Sequence, residues 1–250
     1  MRLDDLVRYC DELLDVSNIR DAPDAWNGLQ VANAGEVSRI AAAVDLCAAT
    51  IRMAAEQKAD LLIVHHGLLW GGVRPLVGPQ RVRVAGLLEH NIALYGSHLP
   101  LDCHPELGNA AILAHELGVD VRGAFGSWRE QPFGVWGELR VSREALGDRL
   151  ARILGAAPKA MLFGPTAVHR IGIATGAAGS LIPQAEAAGL DTLITGEGTH
   201  HTYFDAEELG LNVYYGGHYA TETFGVKALA QHIGTKFGIP WVFLDHPTGL

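Results

Sequence analysis

The sequence predicts an α/β protein that is internally duplicated, two similar α/β domains with helix-covered sheets and a shared metal site between them. Three observations predict it. Val37-Ser38-Arg39-Ile40 returns as Val168-His169-Arg170-Ile171, an offset of 171 − 40 = 131 that holds without a gap from Asp60-Leu61-Leu62-Ile63 to Asp191-Thr192-Leu193-Ile194. Tyr95-Gly96-Ser97-His98 recurs as Tyr215-Gly216-Gly217-His218, and each His is followed four residues later by a carboxylate, Asp102 or Glu222. Short apolar runs alternate with helical stretches in both copies, the pattern of sheets covered by helices. A repeat whose copies both end in His-x-x-x-acid points to a dinuclear metal site in the cleft between the domains.

The elements follow the same order in each copy. Leu3, Leu6, Val7, Leu13 and Leu14 lie near helical spacing, so residues 2–15 are expected to form an amphipathic helix. Its counterpart is Ser142 to Leu154, with Leu146, Leu150, Ile153 and Leu154 on one face, Ser142 as N-cap and Gly155 just past the end. Short strands follow at 29–31 and 161–163, then buried strands at 40–44 and 171–174. Ala-rich helices are expected near 48–57 and 181–188; Pro183 is tolerated because it falls in the first turn after Ser180. Strands at 61–64 and 192–195 come next, then strands at 92–95 and 213–215. Helices ending at Gly118 and Gly234 complete the copies. The stretch from Val119 to Arg140, with Gly123, Gly126, Pro132 and Gly134 before a strand at 135–139, is the expected seam. The domains are therefore placed at 1–123 and 124–250, with the last helix open to packing on either.

Composition narrows the function. An apolar fraction of 48% supports real cores, and no apolar run reaches the length of a membrane span. Met1-Arg2-Leu3-Asp4-Asp5 carries acids where a signal peptide needs an apolar core, so a cytoplasmic protein is expected. Cys10, Cys47 and Cys103 are scattered, without Cys-x-x-Cys, which argues against a disulfide framework or thiolate zinc site. A net charge of −9 disfavours nonspecific nucleic-acid binding, although bound cations reverse the local charge a nucleotide substrate would meet. Arg74, Arg81 and Arg83 form the one tight basic cluster.

The chemistry gathers where strands end. His65 and His66 follow the run Leu61-Leu62-Ile63-Val64, and at the C-terminal end of a strand turning at Gly67 both rings can reach one side. Asp102 and Glu222 supply negative charge between cations, with Glu222 having the longer reach of a bridge. His98, the repeat mate of His218, is a ligand, a proton-transfer group or a partner of Asp102. His65 and His66 align with Gly196 and Glu197, so Glu197 and His201 are candidates for substrate contact or acid–base work. His104, His115, His232 and His246 read as surface or helix positions. The loop Thr175-Gly176-Ala177-Ala178-Gly179-Ser180 is either an anion-holding turn or a tight turn that needs glycine. Trp70-Gly71-Gly72 is either an aromatic rim for a flat ligand or a packing surface for another subunit. An N/O donor set without thiolate suits zinc, iron, manganese, cobalt or nickel.

Taken together, Asp24-Ala25-Trp26-Asn27-Gly28-Leu29-Gln30-Val31, Val64-His65-His66-Gly67, Ser97-His98-Leu99-Pro100-Leu101-Asp102, Thr195-Gly196-Glu197 and Gly217-His218-Tyr219-Ala220-Thr221-Glu222 resemble the NGG-interacting-factor-three-like family, whose bacterial members are labelled type 2 GTP cyclohydrolase I homologues. The resemblance spans almost the whole chain and matches the short bacterial form. It implies two related α/β domains, two divalent metal ions per subunit and a homohexamer. It also implies metal ligands at His65, His66, Asp102, His218 and Glu222, with Glu222 bridging. The expected function is metal-dependent hydrolysis of a nucleotide or other small anionic substrate, with His98 or Glu197 moving protons. The competing expectation is a metal-binding hexameric scaffold with little catalysis.

Overall fold

The computed structural model describes residues 1–23 and 25–249. Asp24, which opens one of the family motifs, lies outside the described residues. The chain divides into two compact units, Met1–His104 with Gly225–His246, and Pro105–Phe224 with the tail from Pro247. The first unit contains α1 (Leu3–Leu13), β1 (Gly28–Val31), β2 (Ile40–Asp45), α2 (Ala48–Glu56), β3 (Leu61–His66), α3 (Gly78–Glu89), β4 (Ala93–Gly96) and α4 (Leu99–Asp102). The second contains α5 (Asn109–Leu117), β5 (Asp120–Trp128), β6 (Gln131–Ser142), α6 (Arg143–Leu154), β7 (Lys159–Leu162), β8 (Ala167–Ile173), α7 (Ile182–Ala187), β9 (Thr192–Thr195), α8 (Thr202–Leu209), β10 (Asn212–Tyr215) and α9 (His218–Thr221). The chain then returns to the first unit with most of α10 (Thr223–Phe237) and with β11 (Trp241–Phe243).

Each unit is built on its own sheet. The first has five strands in the order β1-β4-β3-β2-β11, parallel except for β1 against β4. The second has six in the order β5-β6-β8-β9-β10-β7. Four strands of each follow one scheme, an antiparallel edge strand beside three parallel ones: β1-β4-β3-β2 and β7-β10-β9-β8. The parallel strands are continuous apolar runs because helices cover both faces, and Ile40 to Val44 and Leu61 to Val64 are all buried. In α6 the expected caps form: Ser142 Oγ accepts from Ala145 N at 3.1 Å, and Gly155 takes a left-handed φ of 79°.

Several elements depart from the sequence reading, each for a local reason. The glycine-rich stretch expected as a seam is a long hairpin, β5–β6, inside the second sheet. Its turn residues Arg129 and Glu130 both have positive φ, 51° and 67°, which matches the twist of the flanking strands. No helix was expected at α3, where only Leu87 is buried and no apolar stripe exists. The helix expected to end at Gly234 continues to Phe237 and stops at Gly238, whose φ is +69°. Gly234 serves close packing instead, since a Cβ there would lie 2.8 Å from Ile239 O and from the Trp241 ring. Among the described residues no helix is long and apolar enough to cross a membrane.

Candidate metal centre

In the first unit, β3 carries the His pair at its C-terminal end. His65 is buried, and its Nδ1 lies 2.9 Å from Ser97 O. A carbonyl only accepts, so Nδ1 donates and the Nε2 lone pair is left facing Asp102 Oδ2 at 3.5 Å. A lone pair aimed at a carboxylate is repulsive unless a proton or a metal cation stands between them. His66 makes the same kind of outer bond, from Nδ1 to Asp45 Oδ1 at 2.9 Å, and Asp45 is its register partner on β2. His98 donates from Nδ1 to Asp21 at 2.9 Å. One ring nitrogen from each of His65, His66 and His98 lies within 4.8 Å of the others.

Asp21 is the hub of this half. Besides His98 it accepts from Ala22 N at 2.7 Å, Asn27 Nδ2 at 2.9 Å and Leu99 N at 3.1 Å. Burial pushes its pKa up, but the hydrogen bond and charge of His98, with those from Asn27 and Ala22, outweigh burial and hold it at about 2. Trp70 stands edge-on to His98 at 4.5 Å and to His66 at 5.2 Å between ring centroids. Its loop is tied down by Gln30, whose Oε1 accepts from Leu68 N at 2.7 Å while its Nε2 donates to Trp26 O at 2.6 Å. Gly67 and Gly96 make room for that side chain, since a Cβ at either would lie 2.3 or 2.4 Å from Gln30.

In the second unit, His218 opens α9 after Gly217, which has a φ of 93°. Its Nδ1 lies 2.7 Å from Glu197 Oε1 and its Nε2 3.1 Å from the buried Glu222 Oε2. The hydrogen bond to Glu222 raises the His218 pKa; burial opposes it, and the Glu222 charge with the bond and charge of Glu197 carry the value to about 9. The position therefore favours a positive charge. Gly176, with φ +66°, presses against the same carboxylate, since a Cβ there would lie 2.2 Å from Glu222 Oε1. In its loop the N–H groups of Gly176, Ala178 and Gly179 donate to Thr221 Oγ1, Thr195 Oγ1 and Glu197 O. That leaves a tight turn needing glycine in place of an anion cradle.

The structure therefore brings His65, His66, His98 and Asp102 together in one unit and His218, Glu222 and Glu197 together in the other. His201 is exposed and bonds Thr199 Oγ1 at 3.1 Å. His115 and His246 are exposed, His104 is half-buried, and His232 stacks on Tyr9. Sequence reasoning missed Asp21 and Asp45. The signal for Asp45 was available: it ends the apolar run of β2, one strand away from the His pair. Four imidazoles share one arrangement, Nδ1 held by an oxygen and Nε2 left for another partner, which is how metal-ligating histidines are usually oriented. The donor set fits a divalent cation of borderline softness.

A family model described as Duf34/NIF3 (NGG1p interacting factor 3) matches residues 1–248. The chain belongs to this family. Among DUF34/NIF3 relatives, a Deinococcus radiodurans protein named GTP cyclohydrolase 1 type 2 homolog is 42% identical, covering 99% of this chain and 94% of its own length. One of the same name from Halobacterium salinarum is 43% identical over the whole of both chains. The crystal structure of TTHA1606 from Thermus thermophilus has a TM-score of 0.92 at 42% identity, again covering both chains fully. The mixed α/β fold with two sheets is thus shared with a solved relative of the same length.

Proposed function

We propose that this DUF34/NIF3 chain holds two divalent cations with His65, His66, Asp102, His218 and Glu222, and that it is a metal-dependent hydrolase of a nucleotide or other small anionic substrate. The observation that carries this reading is the common orientation of the imidazoles. His65 Nε2 faces Asp102, and His218 Nε2 faces Glu222, each across a gap that a cation makes favourable. Glu222, with two oxygens on a longer side chain, would be the ligand shared by the two ions. The two units are read as copies of one ancestral unit, and the assembly as a cytoplasmic homohexamer, in line with the repeat and the resemblance. Zinc, iron, manganese, cobalt and nickel all suit the donors.

Bound divalent ions would supply Lewis-acid polarisation and acidify a water molecule. The remaining work falls to the chain. Asp21 fixes the His98 tautomer, so His98 Nε2 is the atom that takes and returns a proton. Glu197 orients His218 and is the second proton carrier. Trp70 shields His66 and His98 from bulk water. The relatives' name points to hydrolytic opening at a purine-ring carbon, as in a GTP-cyclohydrolase-like reaction.

A second reading, a metal-binding hexameric scaffold with little catalysis, is supported by the family description, which names an interacting factor. One experiment separates the two. Gently purified protein is expected to carry about two metal ions per chain, and His65→Ala or Glu222→Ala to remove most of them. Metal-loaded protein is expected to turn over GTP or another nucleotide or phosphoester from a panel, with Glu222→Ala inactive. Metal content well below one ion per chain, with a melting curve unchanged by chelator, refutes the metal centre. Full metal loading without turnover leaves the scaffold.

A further inference from the structure

A cavity of about 480 Å3 opens in the second unit where β9 and β10 end, the edge at which open α/β sheets bind ligands. Its size falls within the range of about 300–1,000 Å3 typical of small-molecule sites. Part of its wall is aromatic. Tyr203 and Phe204 on α8 remain 43% and 48% exposed, with ring centroids 5.5 Å apart and planes at 83°. Phe163 meets Tyr203 edge-on at 5.3 Å, and His200 meets Phe204 edge-on at 5.8 Å. Beside the backbone of Gly198 and the side chain of Met161, the lining offers polar groups: Lys159 at the start of β7, Thr199, and the Tyr215 hydroxyl, itself 2.6 Å from Thr202 Oγ1.

The charge of this lining runs against the net charge of the chain. With 28 acidic against 19 basic residues, the protein would be expected to place carboxylates around a surface cavity. The larger cavity along α1 does so, with Asp4, Asp11, Glu12 and Asp15 around the single cation Arg8. Here Lys159 is the charged group, and among the described residues no carboxylate lines the cavity. Among the described residues Lys159 makes no ion pair. An ammonium group and exposed aromatic faces in one concavity select a flat ring that carries negative charge.

We propose that this cavity is a subsite for a planar heteroaromatic anion of the purine nucleotide class, with the base against Tyr203 and Phe204 and the phosphate on Lys159. Gly198, Thr199 and His200 continue directly from Glu197, so a ligand bound here lies within a few residues of the carboxylate that orients His218. Its role as a substrate subsite rests on the hydrolase reading; binding itself needs no metal.

The test uses the full chain stripped with chelator and titrated with guanosine 5′-monophosphate, guanosine and ribose 5-phosphate, with metal content and assembly mass measured on parallel unstripped samples. Guanosine monophosphate is expected to bind saturably. Phe204→Ala should weaken both it and guanosine about tenfold, the scale of base–aromatic stacking. Lys159→Ala should weaken the monophosphate about tenfold and leave guanosine unchanged, with Lys159→Arg restoring it. Both positions are exposed, so the folded state is retained. No saturable binding by the unsubstituted chain, or binding that both substitutions leave within about twofold, overturns the proposal. So does a Phe204→Ala chain that keeps its affinity but loses assembly mass, because the aromatic face is then covered by a second copy. A metal-loaded chain that fails to bind here loses the subsite alone, whereas a chain that binds here but never holds metal loses the hydrolase reading alone.

Discussion

The ends of β3 and β9 occupy equivalent places in two sheets of the same strand scheme, yet one carries His65-His66 and the other Gly196-Glu197. The difference lies in how closely the next element approaches. At Gly196 a Cβ would lie 2.7 Å from Gly176 O, 2.8 Å from His218 Cα and 2.8 Å from Thr221 Oγ1. No side chain fits there. In the first unit the strand end has room for two rings, with centroids 4.9 Å apart. The orienting groups shift accordingly. His65 is held by a backbone carbonyl and His66 by Asp45, whereas His218 is held by Glu197, the residue that replaces His66 in the repeat. One strand end holds a cluster of imidazoles with acids behind them, and the other a single imidazole between two carboxylates.

The strongest way to break this comparison is to make the second strand end copy the first. Gly196→His should be the most damaging substitution, because two of the three atoms that block the new Cβ, Gly176 O and His218 Cα, belong to the backbone. Even Gly196→Ala is expected to cost about 1–3 kcal/mol by overpacking, and the histidine more. Thermal or urea unfolding reads the cost. A Gly196→His chain with unchanged stability would mean that α9 moves freely and that packing does not explain the asymmetry.

Asp21 tests the first half. Its folded pKa of about 2 lies below the ordinary 3.8, so its stabilising contribution is fully present above pH 4 or so and is lost as pH falls through about 2. Asp21→Asn should therefore destabilise the protein at pH 6 by on the order of 1–2 kcal/mol, and the gap from the unsubstituted chain should shrink to a small remainder at about pH 2. Urea unfolding at both values measures it. A gap independent of pH would show that Asp21 matters for its shape and not its charge.

Much of this was legible in the sequence because the informative residues are local. The apolar runs of β2, β3, β8 and β9 mark buried parallel strands, and Ser142 with Gly155 marks both ends of α6. Asp102, His218 and Glu222 stood out through the repeated His-x-x-x-acid pattern, and His65-His66 as a pair at the end of an apolar run. What was not legible depends on register and on close approach. Asp45 becomes relevant only when β2 is laid beside β3, and Asp21 only when the 20s segment folds back onto His98. Gly234 reads as a helix stop until Trp241 is seen packed on it. The α3 and α8 helices bury too few apolar residues to leave a stripe.

The subtlest test compares the two orienting carboxylates. Asp45 and Glu197 both hold an imidazole Nδ1, and both are partly exposed, with side chains 38% and 48% accessible. Asp45→Asn and Glu197→Gln keep an oxygen that can accept the same hydrogen bond and remove only the charge. Each is expected to change unfolding stability by less than about 0.5 kcal/mol, as for exposed polar pairs. If both carboxylates serve only to orient ligands, both substitutions should weaken metal binding to a similar extent, on the order of tenfold in a chelator competition. If Glu197 also carries a proton in turnover, Glu197→Gln should lose far more activity in metal-saturated protein than Asp45→Asn does. Equal activity losses at saturating metal would remove Glu197 from the reaction and leave it the counterpart of Asp45, a carboxylate whose task ends at holding a ring in place.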